Sequence, residues 1–182
     1  PGATILHNLI CSKAVPEVVT ELGGNPVRTR VGHSFIKQVM AETGAEFGGE
    51  HSAHYYFARN FNADSGLIAS LMVMAEVGRS GQALSVVRKP YERYAASGEI
   101  NTEVTDANAV IERISALYVS CSQDRLDGLT VACGSWWFNL RPSNTEPLLR
   151  LNFEADDRSA CDDRVSAVLG QITGLAHITD AN

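Results

Sequence analysis

The sequence has little of what would mark a metal finger, a disulfide scaffold or a membrane span. Four cysteines, Cys11, Cys121, Cys133 and Cys161, are spread through 182 residues, and no two form a CxxC pair. That spacing argues against a zinc site, and four thiols in a chain this long make no disulfide framework. They read as mostly buried thiols of a cytoplasmic protein. No apolar run reaches the roughly 20 residues that span a bilayer, and no leader is visible at the start, so no membrane partner is expected. Positive charge is also short: 15 Lys and Arg against 21 Asp and Glu give a net charge of -6. A general nucleic-acid surface is thereby excluded, while a local basic site for one small anion is not. There is no GxGxxG or Walker loop, and no Ser/His/Asp or Cys/His order that would define a nucleophile set. The chain opens at Pro1, without methionine, directly into the strand-like Ala3-Thr4-Ile5-Leu6, as expected of a fragment or a processed product.

What is present is the material of a folded core, with 45% hydrophobic residues. The first half alternates strand and helix signals. Ala3 to Ile10 and Val27 to Val31 are short apolar strands, and Glu46 to Glu50 is a strand running into a turn. Helices are expected from Ser12 to about Leu22, from Ser34 to Thr43 with Ser34 as cap, from Ser65 to Val77, and from Gly81 to Tyr94 with a break at Pro90. The second half differs. A strand over Glu99 to Val104 and a helix from Asp106 to about Val119 precede a meander of Gly128 to Ala132, Trp136 to Leu140 and Leu148 to Ala155. A helix from Asp157 to about Thr173 follows. The pattern predicts an α/β protein in two parts. Residues 1–94 form a partial α/β domain on a mixed or parallel sheet. Residues 99–182 form a smaller α+β domain with an antiparallel sheet and flanking helices. Ala95-Ala96-Ser97-Gly98 is the expected linker.

Three stretches could carry chemistry. Arg141-Pro142-Ser143-Asn144-Thr145-Glu146-Pro147 packs a permanently charged planar fork, two hydroxyls and an amide into one turn. This suits phosphate oxygens, and turn amides can add an anion nest. The same residues also suit an ordinary polar hairpin. Gly48-Gly49-Glu50-His51-Ser52-Ala53-His54 joins flexible glycines to a carboxylate that can accept two sugar hydroxyls, a donor and a titratable ring. It also suits a solvated loop after a strand, and its spacing is not that of a helix-borne metal site. Arg30-Val31-Gly32-His33-Ser34, with Lys37, lies where a strand meets a helix, a frequent place for anion contacts.

Together these stretches resemble the α-D-phosphohexomutase superfamily, in particular its bacterial phosphomannomutase/phosphoglucomutase members. Thr29 to Lys37 resembles a segment of the family's third domain. Gly49-Glu50-His51-Ser52-Ala53-His54 looks like its sugar-specificity loop, Gly-Glu-x-Ser-Gly-His. Arg141 to Pro147 looks like the phosphate-binding loop of its fourth domain. The resemblance spans essentially the whole chain. It implies that Glu50, Ser52, His54 and Lys37 bind substrate, and that His33 and His54 lie at the reacting centre. It also implies that Arg141, Ser143, Asn144 and Thr145 clasp the phosphate that stays on the sugar. The family moves a phosphoryl group between the 1- and 6-positions through a phosphoserine enzyme, magnesium and a hexose 1,6-bisphosphate. Its serine loop, Thr-Ala-Ser-His-Asn-Pro, and its magnesium loop, Asp-Gly-Asp-Gly-Asp-Arg, do not occur here.

The expectation is therefore the C-terminal recognition half of a phosphohexomutase acting on mannose or glucose 1- or 6-phosphate. Its partners would be the enzyme's N-terminal domains, and it would be inactive alone. A free-standing phosphosugar-binding module and a purely structural domain are the rivals. Two departures from the family pattern stand out. Ala53 replaces a glycine, a small change in composition. Ile10 stands where a lysine is usual, leaving Lys13 or Lys37 to supply that charge.

Overall fold

Contacts within the chain gather into two units, Pro1–Arg93 and Tyr94–Asn182. The computed structural model describes residues 1–143 and 146–176.

In the first unit, β1 (Thr4–Asn8) leads to α1 (Ala14–Glu21), β2 (Asn25–Thr29), α2 (His33–Thr43) and β3 (Phe47–Gly49). Then come β4 (Tyr55–Phe57), β5 (Ala63–Asp64), α3 (Gly66–Ser80) and α4 (Leu84–Arg88). The sheet order is β2-β1-β3-β4-β5, with β2 and β3 parallel to β1 and with β4 and β5 antiparallel additions. It is a mixed sheet. Strand β2 begins earlier than expected and includes Pro26, which is tolerated because β2 lies at the sheet edge. Helix α2 buries Ile36 and Met40 against Leu6, Ala45 and Tyr56. Gly48 permits this approach, since a Cβ there would lie 3.0 Å from Ile36 Cγ2. The α2 helix starts at His33 after Gly32, so Ser34 is not its cap. Ser65 does cap α3, accepting from the Ile68 N–H. Yet α3 buries none of its residues. The expected second long helix is only the five residues of α4, because Gly81 turns left-handed after α3 and Pro90 lies just beyond.

The second unit contains β6 (Ala95–Glu103), α5 (Ala107–Leu117), β7 (Ser122–Asp124), β8 (Leu129–Cys133), β9 (Trp136–Pro142), β10 (Leu148–Ala155) and α6 (Arg158–Ala176). All pairings in its sheet, ordered β6-β10-β9-β8-β7, are antiparallel. The expected linker at Ala95 to Gly98 is instead the first half of β6, with Ala95 and Ala96 paired to Ala155 and Glu154. Asp106 caps α5 through the Ala109 N–H. Helices α5 and α6 supply Val110, Ile111, Ile114, Val168 and Ile172 to a core shared with Phe138, Leu140, Leu151 and Phe153.

The cysteine expectation needs correction. Cys121 and Cys133 form a disulfide, Cys11 is half-buried, and only Cys161 is a buried thiol. The β7–β8 hairpin pairs Ser122 with Ala132, which brings the flanking cysteine Cα atoms within 5.0 Å.

Candidate functional site

The hairpin from β3 to β4 builds the first site. The Glu50 N–H donates to the His54 carbonyl, and the Ala53 N–H donates to the Glu50 carbonyl. This closes a three-residue loop of His51, Ser52 and Ala53, with its last residue left-handed at φ 65°. Glu50 and His54 are thereby held opposite each other at the sheet end. Substituting alanine for glycine here is not the small change that composition suggests, because Ala53 occupies the conformation that favours glycine.

Glu50 is buried and held from several sides. Its Oε1 accepts from the Gly32 N–H at 2.9 Å and makes a longer 3.5 Å contact with Asn8 Nδ2. Its Oε2 accepts the Tyr56 hydroxyl at 2.8 Å. Gly32 can present its N–H at the start of α2 because it adopts φ 128°, which side chains rarely reach. Burial, and then the Glu50 carboxylate, hold the Tyr56 hydroxyl well above its ordinary pKa, so it stays a donor. Such a buried carboxylate, fixed by two short hydrogen bonds, keeps its remaining lone pairs for a ligand.

Around it lies a cavity of about 340 Å³ lined by Val31, Gly32, His33, Lys37, Glu50, Ser52, His54, Tyr56 and Asp64. The structure thus gathers His33, Lys37, Glu50, Ser52 and His54 at one cavity. Lys13 lines a different hollow on α1, so of the two lysines considered for the place of Ile10 only Lys37 reaches this one. Ile10 itself is buried. A larger cavity of about 560 Å³ is lined by Phe47, Phe57, Ile68 and Met72 together with Glu46, Arg59 and Asn60.

The second unit has its own cluster. Arg141 on β9 lies directly across from Arg150 on β10. Like charges in such register repel. Glu99 on β6 offsets this, with oxygens 3.6 Å from Arg141 and 3.3 Å from Arg150. Arg150 Nη2 also donates to Ser143 Oγ at 3.3 Å. The Nε atoms of both arginines are buried without a hydrogen-bond partner among the described residues. Two guanidiniums on one face of the sheet supply the kind of donors that an oxyanion site requires. Asn144 and Thr145 lie outside the described residues.

Arg150, Glu99, Tyr56 and Asp64 were not singled out from sequence. Arg150, Asn152 and Glu154 alternate along β10, so a face shared with Arg141 was inferable once the strand pairing was known. Among the described residues no three His, Cys, Asp or Glu side chains converge as a metal site. The magnesium implied by the resemblance finds no ligand set among these residues. No described helix is long and apolar enough to cross a membrane.

This pairing of a mixed-sheet unit with an antiparallel one is the fold of the α-D-phosphohexomutases. A phosphoglucomutase/phosphomannomutase family protein from Burkholderia thailandensis superposes with a TM-score of 0.81 at 27% identity, over 97% of this chain and 38% of that one. An N-acetylphosphoglucosamine mutase from Aspergillus fumigatus, solved with glucose 1,6-bisphosphate, shares the fold with a TM-score of 0.70 at 15% identity, over 96% of this chain and 39% of the other. Two family models match in order. They are phosphoglucomutase/phosphomannomutase alpha/beta/alpha domain III over residues 1–94, and the C-terminal domain over residues 99–171. The chain belongs to the phosphoglucomutase/phosphomannomutase family. A phosphomannomutase from Methanocaldococcus jannaschii is 42% identical over 174 residues, 96% of this chain and 39% of its own length. A phosphohexose mutase from Xanthomonas campestris is 43% identical over 157 residues, 85% of this chain and 35% of its own. The chain thus spans about two-fifths or less of these relatives' length.

Proposed function

We propose that this chain is the substrate-recognition half of a phosphohexomutase that interconverts the 1- and 6-phosphates of mannose or glucose. The route would be a phosphoserine enzyme and a bound hexose 1,6-bisphosphate. The observation that carries this reading is the single cavity shared by His33, Lys37, Glu50, Ser52 and His54 in a chain of this family. Glu50, prefixed by Tyr56 and Gly32, accepts sugar hydroxyls, and Ser52 adds a neutral donor. Lys37 brings positive charge toward phosphoryl oxygens, and His33 and His54 act at the reacting centre. In the second unit, Arg141 and Ser143, with Asn144 and Thr145, hold the phosphate that is not transferred. Such transfers depend mainly on positioning and electrostatic stabilisation, which is what these groups offer. The phosphorylated serine and the magnesium ligands belong to other parts of the longer enzyme. The chain's domains divide this work as residues 1–94 for the sugar and 99–182 for the phosphate.

Arg141→Ala in the full-length enzyme tests the reading. Loss of a charged hydrogen-bonding group should lower kcat/KM by roughly 2–4 kcal/mol of transition-state binding. An unchanged kcat/KM would remove the phosphate role. The purified chain should not turn over mannose 6-phosphate or glucose 6-phosphate, and measurable conversion would overturn the recognition-half assignment.

A further inference from the structure

We propose that Asp64 is a positioning residue for His54, holding its ring by Nδ1 and leaving Nε2 as the one ring nitrogen open to ligand. The inference rests on the reading of His54 as a group at the sugar site. His54 is exposed and follows a tight loop, where solvent alone would not fix its ring. Asp64 does so from another strand. Its Oδ2 lies 2.6 Å from His54 Nδ1, and its Oδ1 accepts the Tyr55 N–H at 2.9 Å. The carboxylate is anchored in turn by the β4–β5 ladder, in which Tyr56 pairs with Asp64. The hydrogen bond from His54 holds the Asp64 carboxyl below its usual range, so it is ionised and can only accept. His54 must then carry a proton on Nδ1 in both of its charge states. In the neutral ring Nε2 is an acceptor, and in the imidazolium it is a donor. The pair therefore presents a single site for taking up or giving a proton, at an atom whose tautomer is fixed by a second residue.

Other charges face the same ring. Glu50 also favours the cation, as Asp64 does more strongly, and together they raise the His54 pKa from its ordinary value. Lys37, His33 and Tyr56 line the same cavity. Lys37 opposes the cation, and Tyr56 stays neutral. Removing the Asp64 charge alone should therefore lower the His54 midpoint without abolishing its titration.

Two measurements test the dyad. In the 182-residue chain, long-range proton–nitrogen NMR correlations should report His54 as the Nδ1–H tautomer when neutral. Its midpoint should fall on Asp64→Asn, a near-isosteric change that can still accept from Tyr55. In the full-length enzyme, Asp64→Asn should displace a limb of the kcat/KM pH profile, and Asp64→Glu should partly restore it. A merely structural role would lower activity equally at every pH. An Nε2–H tautomer, or a His54 midpoint unmoved by Asp64→Asn, would sink the proposal even if Arg141→Ala behaves as expected. Conversely, an intact dyad alongside an Arg141→Ala enzyme of full activity would leave Asp64 as the partner of His54 and remove the sugar-phosphate reading instead.

Discussion

The two units bury their apolar residues very differently. The second has a continuous core in which Val110, Ile111 and Ile114 of α5 and Val168 and Ile172 of α6 lie against Phe138, Leu140, Leu151 and Phe153 of the sheet. Three of its aromatic rings cluster, with the Trp136, Phe138 and Phe153 centroids 5.6–6.1 Å from one another. In the first, the main buried cluster is smaller, Leu6, Ile36, Met40, Ala45 and Tyr56, with Leu9, Ile10, Ala14 and Phe57 buried beside it. Its most apolar helix, α3, leaves Leu67 at 73% and Met74 at 68% exposure. A helix can thus be apolar in sequence and contribute little to the stability of the chain that carries it. Phe138→Ala tests this difference most severely. It should destabilise the second unit by about 3–5 kcal/mol, from lost transfer energy and the cavity left behind. Leu71→Ser on α3 should stay within about 0.5 kcal/mol. Denaturant midpoints read both, and equal losses would erase the contrast.

How legible each region was follows from how local its contacts are. Strand β10 was found from Leu148 to Ala155 because alternation over eight residues is a strong signal. Strands β4, β5 and β7 were not expected, since two or three residues carry no period. Ala95 to Gly98 looked like a linker by composition, yet pairing with Glu154 and Ala155 makes it strand. The site divides in the same way. Glu50, Ser52 and His54 share one loop and could be picked out together. Asn8 and Tyr56, which contact Glu50, and Asp64, which contacts His54, arrive from separate strands by register. Glu99 and Arg150 reach Arg141 only through the β6-β10-β9 ladder.

The sites can be compared by what holds their charges. In the first unit a buried carboxylate depends on neutral donors, so Tyr56→Phe should be costly. Losing a hydrogen bond to a charged group should lower stability by about 1.5–3 kcal/mol. It should also weaken hexose phosphate binding in the full-length enzyme. In the second unit, two facing guanidiniums depend on a partly exposed carboxylate. Solvent screening reduces that term, so Glu99→Gln should destabilise by about 1 kcal/mol or less. Inorganic phosphate should then raise Tm more in Glu99→Gln than in the wild type, because the built-in anion no longer competes. If phosphate raises both equally, Glu99 is not occupying the same donors.

One further small effect has the opposite sign. Ala53 closes the loop between Glu50 and His54 at φ 65°, where a side chain is disfavoured. Placing an L-residue in this conformation costs roughly 1–2 kcal/mol, and glycine removes that strain at the expense of a floppier unfolded chain. Ala53→Gly should therefore stabilise the first unit by about 0.5–1 kcal/mol, read as a raised denaturant midpoint. The hydrogen bonds from the Glu50 and Ala53 N–H groups that close the loop involve no side chain, so the substitution should leave the placement of Glu50 and His54 intact. The binding of hexose phosphate to the full-length enzyme should then be unchanged while stability rises. A loss of stability would mean that the loop is not strained at Ala53.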